Sequence, residues 1–410
     1  MLKSISCPWS RKQARHASPS TIGDPVSAIL KGTHEDLRRA VREACARFPN
    51  DYWRDLDAGR RYPEEFVRAM TESGYLGALI PEEYGGMGLD LSAACAILEE
   101  VNRSGANAGP AHAQMYTMGT LLRHGSEGQK RRYLPKIAKG DLRLQAFAVT
   151  EPEAGTDTTS IKTTATLEGA HYIVNGRKIY ISRVEQSDLM IVLARTTPLK
   201  EVAKRSDGLS VFLVDLREAE GLTVRPRRVM MNNATSELVF DGVRLSAENI
   251  IGEVGEGFRY ILDGMNAERI LIAAECVGDG RWFVEKSTER AREREVFGRP
   301  IGKNQGIQFP IARAYANVEA ASLMVEKAAS LFDRGEPCGA EANLAKLLAA
   351  DASWEAANAA LQTFGGYGFD AEFDVERKFR ETRLYQVAPI STNLILSYVA
   401  EHVLGLPRSF

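Results

Sequence analysis

The spacing of apolar residues changes twice along the 410-residue chain, and that double change limits the folds open to it. From residue 25 to 144 apolar side chains recur about every four positions, as at Leu37, Val41, Cys45 and Phe48 and again through 91–102. This is the period of an amphipathic helix. Between 145 and 248 the signal becomes a series of short β runs at 171–174, 178–182, 188–194, 209–215 and 236–240. Asn175-Gly176, between the first two, suits the positive φ angles of a tight hairpin turn. From 249 to 410 long helices return: Phe258, Ile261, Leu262 and Met265 mark one face, and helices are expected over 313–333, 340–361 and 391–404. The expected fold is α+β and mainly α, with an N-terminal helical domain, a small antiparallel β domain in the middle and a C-terminal helical bundle. Residues 1–24 are set apart as a disordered tail, and the polar stretch 197–208 as an exposed loop.

Composition narrows the function classes. With 52 basic against 54 acidic residues, the chain carries no overall field that would draw it onto nucleic acid or an anionic membrane. No run of 18 or more apolar residues occurs, so membrane insertion is not expected, and a cytoplasmic protein is. The first 22 residues hold Lys3, Arg11, Lys12 and Arg15 and no acid, a composition shared with mitochondrial transit peptides, which keeps the mitochondrial matrix open as a location. Cys7, Cys45, Cys95, Cys276 and Cys338 are odd in number and far apart, which fits free thiols. The six histidines stand singly, so no metal is expected. Nucleophile-elbow, Walker, zinc-helix and dinucleotide-fingerprint motifs are missing from the sequence.

Four segments are unusual for plain structure. Thr150-Glu151-Pro152-Glu153-Ala154-Gly155-Thr156-Asp157 follows the apolar Phe147 to Val149 and places hydroxyls where a strand ends; it is either a turn or a cradle for a polar ring edge. Tyr180-Ile181-Ser182 puts an aromatic and a hydroxyl on one strand face. Arg294 to Pro300, with Gln305 beyond, follows a highly charged helix; its arginines suit phosphate, or solvent alone. Gln362-Thr363-Phe364-Gly365-Gly366-Tyr367-Gly368 carries three glycines where a helix cap needs one.

Taken in order, and together with Ile80-Pro81-Glu82-Glu83-Tyr84-Gly85-Gly86, these segments resemble the acyl-CoA dehydrogenase family over residues 25 to 407. The resemblance implies FAD as cofactor, with Phe147, Val149, Thr150 and Thr156 lining the flavin and Tyr180 and Ser182 against its ring and reactive nitrogen. Across a subunit interface Arg294 and Gln305 would meet the diphosphate, and Gln362, Gly365 and Gly366 the adenosine; Ser391 and Asn393 match positions on the flavin side. It also implies an acyl-CoA or acyl-carrier thioester substrate, an electron-transfer flavoprotein or similar acceptor, and a homotetramer or homodimer. Thr156, Asn266 and Arg269 are the expected substrate contacts.

The family's reaction removes the proton next to the thioester carbonyl and a hydride from the following carbon, leaving a trans-2-enoyl thioester. It needs a carboxylate base. At the usual loop position this chain has Pro389, which carries neither an ionisable group nor a backbone N–H. The family's second placement, on a C-terminal-domain helix, matches Glu268 in Asn266-Ala267-Glu268-Arg269, whose plain alternative is an ion pair with Arg269. Two other functions share the fold: a flavin oxidase or monooxygenase, and a non-catalytic or nucleic-acid-binding relative. Arg294→Ala is expected to weaken FAD retention more than Ser182→Ala, since a charge-assisted phosphate contact exceeds a neutral one; FAD recovered per chain after gel filtration reads the order.

Overall fold

The computed structural model describes residues 34–408, so the expected tail 1–24, the basic stretch 1–22 and Cys7 lie outside the described residues. Among the described residues six α-helices come first: α1 (Glu35–Cys45), α2 (Asn50–Gly59), α3 (Glu64–Glu72), α4 (Leu91–Arg103), α5 (Gly109–His124) and α6 (Glu127–Lys139). Local chemistry starts two of them. Asp90 accepts the Ala93 N–H at the head of α4, and Ser126 with Gln129 forms a reciprocal capping box on α6. Gln129 also donates to the Glu248 and Ile250 carbonyls, fastening α6 to the sheet.

The strands are β1 (Leu144–Ala148), β2 (Thr164–Glu168), β3 (His171–Ser182), β4 (Leu189–Arg195), β5 (Leu209–Asp215), β6 (Leu222–Pro226), β7 (Thr235–Ser246) and β8 (Ile250–Ile251). They form one sheet in the order β6-β7-β3-β2-β4-β5-β8, with β1 against β4. Most pairs are antiparallel; β4 pairs parallel with β1 and β2. The expected hairpin at Asn175-Gly176 is not formed. β3 runs straight through it with a register shift, because the neighbouring chain passes too close for a side chain: a β-carbon at Gly176 would stand 2.4 Å from the Thr163 hydroxyl. Asn175-Gly176 thus marks a bulge, and the same φ freedom serves a different end. A second shift between Lys178 and Ile181 leaves Tyr180 at φ +59°.

The second helical part comprises α7 (Gly257–Glu293), a short hairpin of β9 (Glu295–Val296) and β10 (Arg299–Pro300), α8 (Gln305–Asp333), α9 (Gly339–Phe364), α10 (Val375–Thr382) and α11 (Thr392–Tyr398). Its core is not separate. Val41, Phe66, Ile97 and Leu98 from the first helices pack in one cluster with Ile270, Leu271 and Cys276 of α7 and Ala345 and Ala349 of α9. Close approach of α7 to α4 depends on Gly278, where a β-carbon would lie 2.3 Å from the Glu99 carbonyl oxygen. β4 is buried on both faces: Leu189, Ile191 and Leu193 pack toward α5 and α6, while Met190, Val192 and Ala194 pack with Phe212 and Tyr172. The four cysteines among the described residues are free and buried.

A buried ion pair shapes the loop after β1. Glu151 accepts the Lys162 and Thr163 N–H groups at 2.6 and 3.0 Å and the Lys178 Nζ at 2.9 Å, and that Nζ also donates to the Val149 carbonyl at 2.9 Å. Burial lowers the Lys178 ammonium to about 8, partly opposed by Glu151. Burial alone would raise Glu151, yet Lys178 and the two N–H groups together hold it below its ordinary value. Removing one partner strands the other in a dry site. Glu151→Gln is expected to cost about 3–5 kcal/mol of unfolding free energy, with most of it restored by adding Lys178→Met; urea denaturation of the two variants checks the pair.

Candidate active site

The first half of α7 carries Glu268 into the interface between the two helical parts and the sheet. Its side chain is 6% exposed, and among the described residues no hydrogen bond or ion pair reaches its carboxylate. Burial raises it to about 7, with the charges of His112 and Arg269 acting weakly against the rise. The ion pair with Arg269, the plain alternative to a catalytic role, is not made. Arg269 turns instead to the Asn266 Oδ1 at 3.1 Å, leaves its Nε without a partner, and is itself pushed below its usual value by burial.

Two residues of α5 border this carboxylate. Tyr116 meets Phe147 edge-to-face at 5.4 Å between ring centroids and His112 at 5.1 Å. Burial drives the Tyr116 phenol well above its usual value and Glu268 adds to the rise, while the Arg183 charge opposes it. Phe147, an expected flavin contact, therefore packs against a neighbour of Glu268. Behind them lies a polar lattice: His112 Nδ1 is 2.9 Å from Glu275 Oε1, the Tyr385 hydroxyl donates to Glu275 Oε2 at 3.0 Å, and Asn102 donates to the Tyr385 oxygen at 3.0 Å. It ties α4, α5, α7 and the loop bearing Pro389 together. Lys346 of α9, fully buried, donates to the Tyr385 and Ile390 carbonyls at 2.6 and 2.7 Å and pins both ends of that loop.

The remaining expected residues divide into two sets. Near the strand ends, Phe147, Val149 and Thr150 are half-buried and Thr156 is exposed, in the loop held by Glu151. Tyr180 is 59% exposed, a large aromatic left uncovered. The Ser182 hydroxyl accepts from Asn233 at 2.9 Å, which leaves its proton free to donate. Neither the Thr150 nor the Thr156 hydroxyl has a partner among the described residues. An uncovered ring, apolar neighbours and available hydroxyls are the donor set that a flavin ring edge requires, so the residues present fit FAD. The Ser391 hydroxyl is used locally, capping α11 through the Leu394 N–H, and Asn393 is exposed beside it.

The second set lies elsewhere in the chain. Arg294 follows the last residue of α7, 26 residues beyond Glu268, which places it about 39 Å away along the helix. Arg294, Gln305, Gln362, Gly365 and Gly366 are all exposed. One chain does not gather the two sets at one point. Sequence reasoning missed Glu151, Lys178, Arg183, Glu275 and Lys346; of these only Glu275 left a signal, as an acid inside the apolar run Ile270 to Val277 on the same helix face as Glu268.

A dry carboxylate, together with an uncovered, hydroxyl-bearing strand end, is the equipment of a flavin-dependent oxidoreductase that removes a proton from carbon. Comparison with known proteins specifies the class. The family models for the acyl-CoA dehydrogenase N-terminal, middle and C-terminal domains match residues 31–141, 146–243 and 255–404. Acyl-CoA dehydrogenase fadE12 of Mycobacterium bovis is 35% identical over 94% of this chain and 99% of its own length. A glutaryl-coenzyme A dehydrogenase in complex with glutaryl-CoA superposes with a TM-score of 0.86 at 32% identity, covering 92% of this chain and 96% of that one. Butyryl-CoA dehydrogenase from Megasphaera elsdenii gives 0.84 at 29%, covering 90% and 98%. The chain belongs to the acyl-CoA dehydrogenase family, whose members are FAD-binding oxidoreductases.

The raised pKa of Glu268 has a stability consequence. A carboxyl whose folded-state pKa lies above its unfolded value stabilises the fold below the unfolded value, and that contribution is lost as pH rises through about 7. Glu268→Gln should therefore leave unfolding free energy almost unchanged near pH 4.5 and raise it by about 3 kcal/mol above pH 8. Urea denaturation at the two pH values reads the difference; a gain that does not grow with pH contradicts the dry carboxylate.

Proposed function

We propose that the protein oxidises an acyl-CoA thioester to its trans-2-enoyl-CoA, with Glu268 as the base that removes the α-proton. The observation that carries this reading is the buried, unpaired Glu268 carboxylate, held near neutrality by desolvation, with a neighbour that packs against Phe147. Such a group is half-ionised near the working pH and is a strong base for its size once ionised. Burial without a counter-ion in contact is what gives it that reactivity, and Arg269 supports it by bonding Asn266 rather than quenching the charge.

Phe147, Val149, Thr150, Thr156, Tyr180 and Ser182 would hold the flavin end of FAD, Tyr180 offering an aromatic surface and Ser182 a hydroxyl donor. When bound, FAD accepts the hydride that leaves the β-carbon. Arg294, Gln305, Gln362, Gly365 and Gly366 of a second copy take the diphosphate and adenosine, which fits their exposure and their distance from Glu268 in a single chain. Thr156, Asn266 and Arg269 face the substrate, Asn266 and Arg269 from the helix that carries the base; Ser391 and Asn393 approach the flavin side. Pro389 supplies no N–H to the thioester oxygen, so that oxygen draws its donors from other groups. Electrons leave to an electron-transfer flavoprotein or a similar acceptor, and the reaction runs in the cytoplasm.

Stopped-flow reduction of the flavin by an anaerobic panel of acyl-CoA thioesters tests the assignment. Glu268→Gln should slow reduction by ~10²–10⁴-fold while retaining FAD. Because only the ionised carboxyl accepts a proton, the wild-type rate should rise with pH, reach half its maximum at about 7 and then level off. Wild-type reduction rates in Glu268→Gln, or a rate that falls as pH rises through this range, would remove Glu268 from the mechanism.

A further inference from the structure

β6 forms one edge of the sheet and carries arginine where it passes the expected flavin contacts. Arg225 of β6 stands opposite Glu237 of β7, the Arg227 N–H donates to the Thr235 carbonyl at 2.8 Å, and Thr235 stands opposite Ser182 of β3. Paired residues share a face, as do alternate residues of one strand, so Arg225, Glu237, Thr235 and Ser182 lie on one side of the sheet. Two strand spacings, about 10 Å, separate β6 from β3. The arginines are therefore neighbours of the place that Ser182 and the 59%-exposed Tyr180 offer a flavin.

Arg177, Arg225, Arg227 and Arg228 gather here, and among the described residues a single carboxylate is in contact with them. Glu237 accepts from the Arg177 Nε at 3.1 Å and from the Arg227 Nη1 at 3.3 Å. Arg225 and Arg228 are exposed, and their guanidinium groups make no hydrogen bond or ion pair among the described residues. Arg60 joins from the end of α2, donating to the Val229 carbonyl at 3.2 Å, while the nearby Asp57 is engaged by Arg380. Met230, 53% exposed, is left uncovered in the same segment. With 52 basic against 54 acidic residues over the whole chain, this excess is local. Edge strands are commonly guarded by a charge or two, often lysine. Several guanidinium groups beside a bare methionine have instead the composition of a protein interface, where arginine and methionine are enriched and lysine is depleted.

We propose that this face docks an electron-carrier protein with an acidic surface. Positive charge selects an anionic partner, and the short distance to the flavin contacts selects a redox partner over other polyanions. This rests on the flavin reading above and names the surface chemistry of the acceptor it left open. For each acyl group oxidised, two electrons leave singly, one to each of two oxidised carriers, and the two hydrogens lost by the substrate end as protons in solvent.

Surface plasmon resonance of the FAD-loaded protein against two haem carriers of opposite charge, the acidic cytochrome b5 and the basic cytochrome c, reads the face without turnover. Cytochrome b5 should bind more tightly than cytochrome c, and its affinity should fall at least about tenfold between about 20 and about 200 mM salt. Arg225→Gln/Arg228→Glu should weaken it by about as much at the lower salt, whereas Arg131→Gln/Lys139→Glu, the same change of charge on α6, should not. With the flavin reduced photochemically, haem reduction should slow in the β6-edge variant, while flavin reduction by acyl-CoA keeps its wild-type rate. Tighter binding of cytochrome c, an affinity indifferent to salt, or equal weakening by the α6 variant overturns the docking face, and haem reduction that does not slow overturns its electron-carrier role. A flavin that no acyl-CoA reduces, in a protein that binds cytochrome b5 as expected, contradicts the proposed reaction and leaves the face standing. Should the paired change not fold, Arg228→Gln alone decides by the same measurements.

Discussion

Taking a carboxylate out of water without giving it a counter-ion is among the more costly things a fold can do, and the architecture around Glu268 is arranged to make that happen. The group rides on a 37-residue helix that is buried at every position but Arg269 from Ala267 to Gly280. Ile270, Leu271 and Ala274 join it to the N-terminal helices, and Gly278 lets it approach α4 to backbone contact. With α7 so fixed, the side chain at 268 is almost wholly removed from solvent. The neighbouring Arg269 is bonded to Asn266. The result is a carboxyl balanced between its two protonation states, the condition a proton-abstracting group needs near neutral pH.

Other buried charges in the molecule are treated differently, and the contrast is informative. Lys178 is met by Glu151 and a carbonyl, and Lys346 by two carbonyls of the loop that contains Pro389. Each cross-links segments distant in sequence and holds a loop at the edge of the site. Such pairs contribute little net stability over apolar side chains of the same volume, but breaking one is expensive, so they fix loop shape. Glu268 and Arg183 lack such partners.

Much of this was legible from residue order, for reasons that differ between elements. The helical periods between Glu35 and Lys139 were readable where a helix buries one stripe, as α1 does with Val41 and Cys45, and strand 209–215 was found at its observed limits because β5 is apolar along nearly its whole length. Asn175-Gly176 misled, since the dipeptide reports only that positive φ is available there. Whether the chain reverses or bulges depends on Thr163, which lies across the strand pair. Glu268 could be singled out because Pro389 vacates the usual position. Arg183, Lys178 and Lys346 could not: they are three among 52 basic residues, and nothing in their immediate sequence distinguishes a buried cation from a solvated one. Their identity as interior groups arises only when β3, α5 and α9 converge.

Exchange of the substrate α-proton with solvent deuterium tests the role of Glu268 most directly, because it isolates proton removal from electron transfer. In deuterated buffer, under anaerobic conditions, the wild-type protein should place deuterium at the α-carbon of recovered acyl-CoA, read by mass spectrometry, and Glu268→Gln with its FAD retained should not. Equal deuterium incorporation by the two proteins would show that another group takes the proton, and the account built on the dry carboxylate would be wrong.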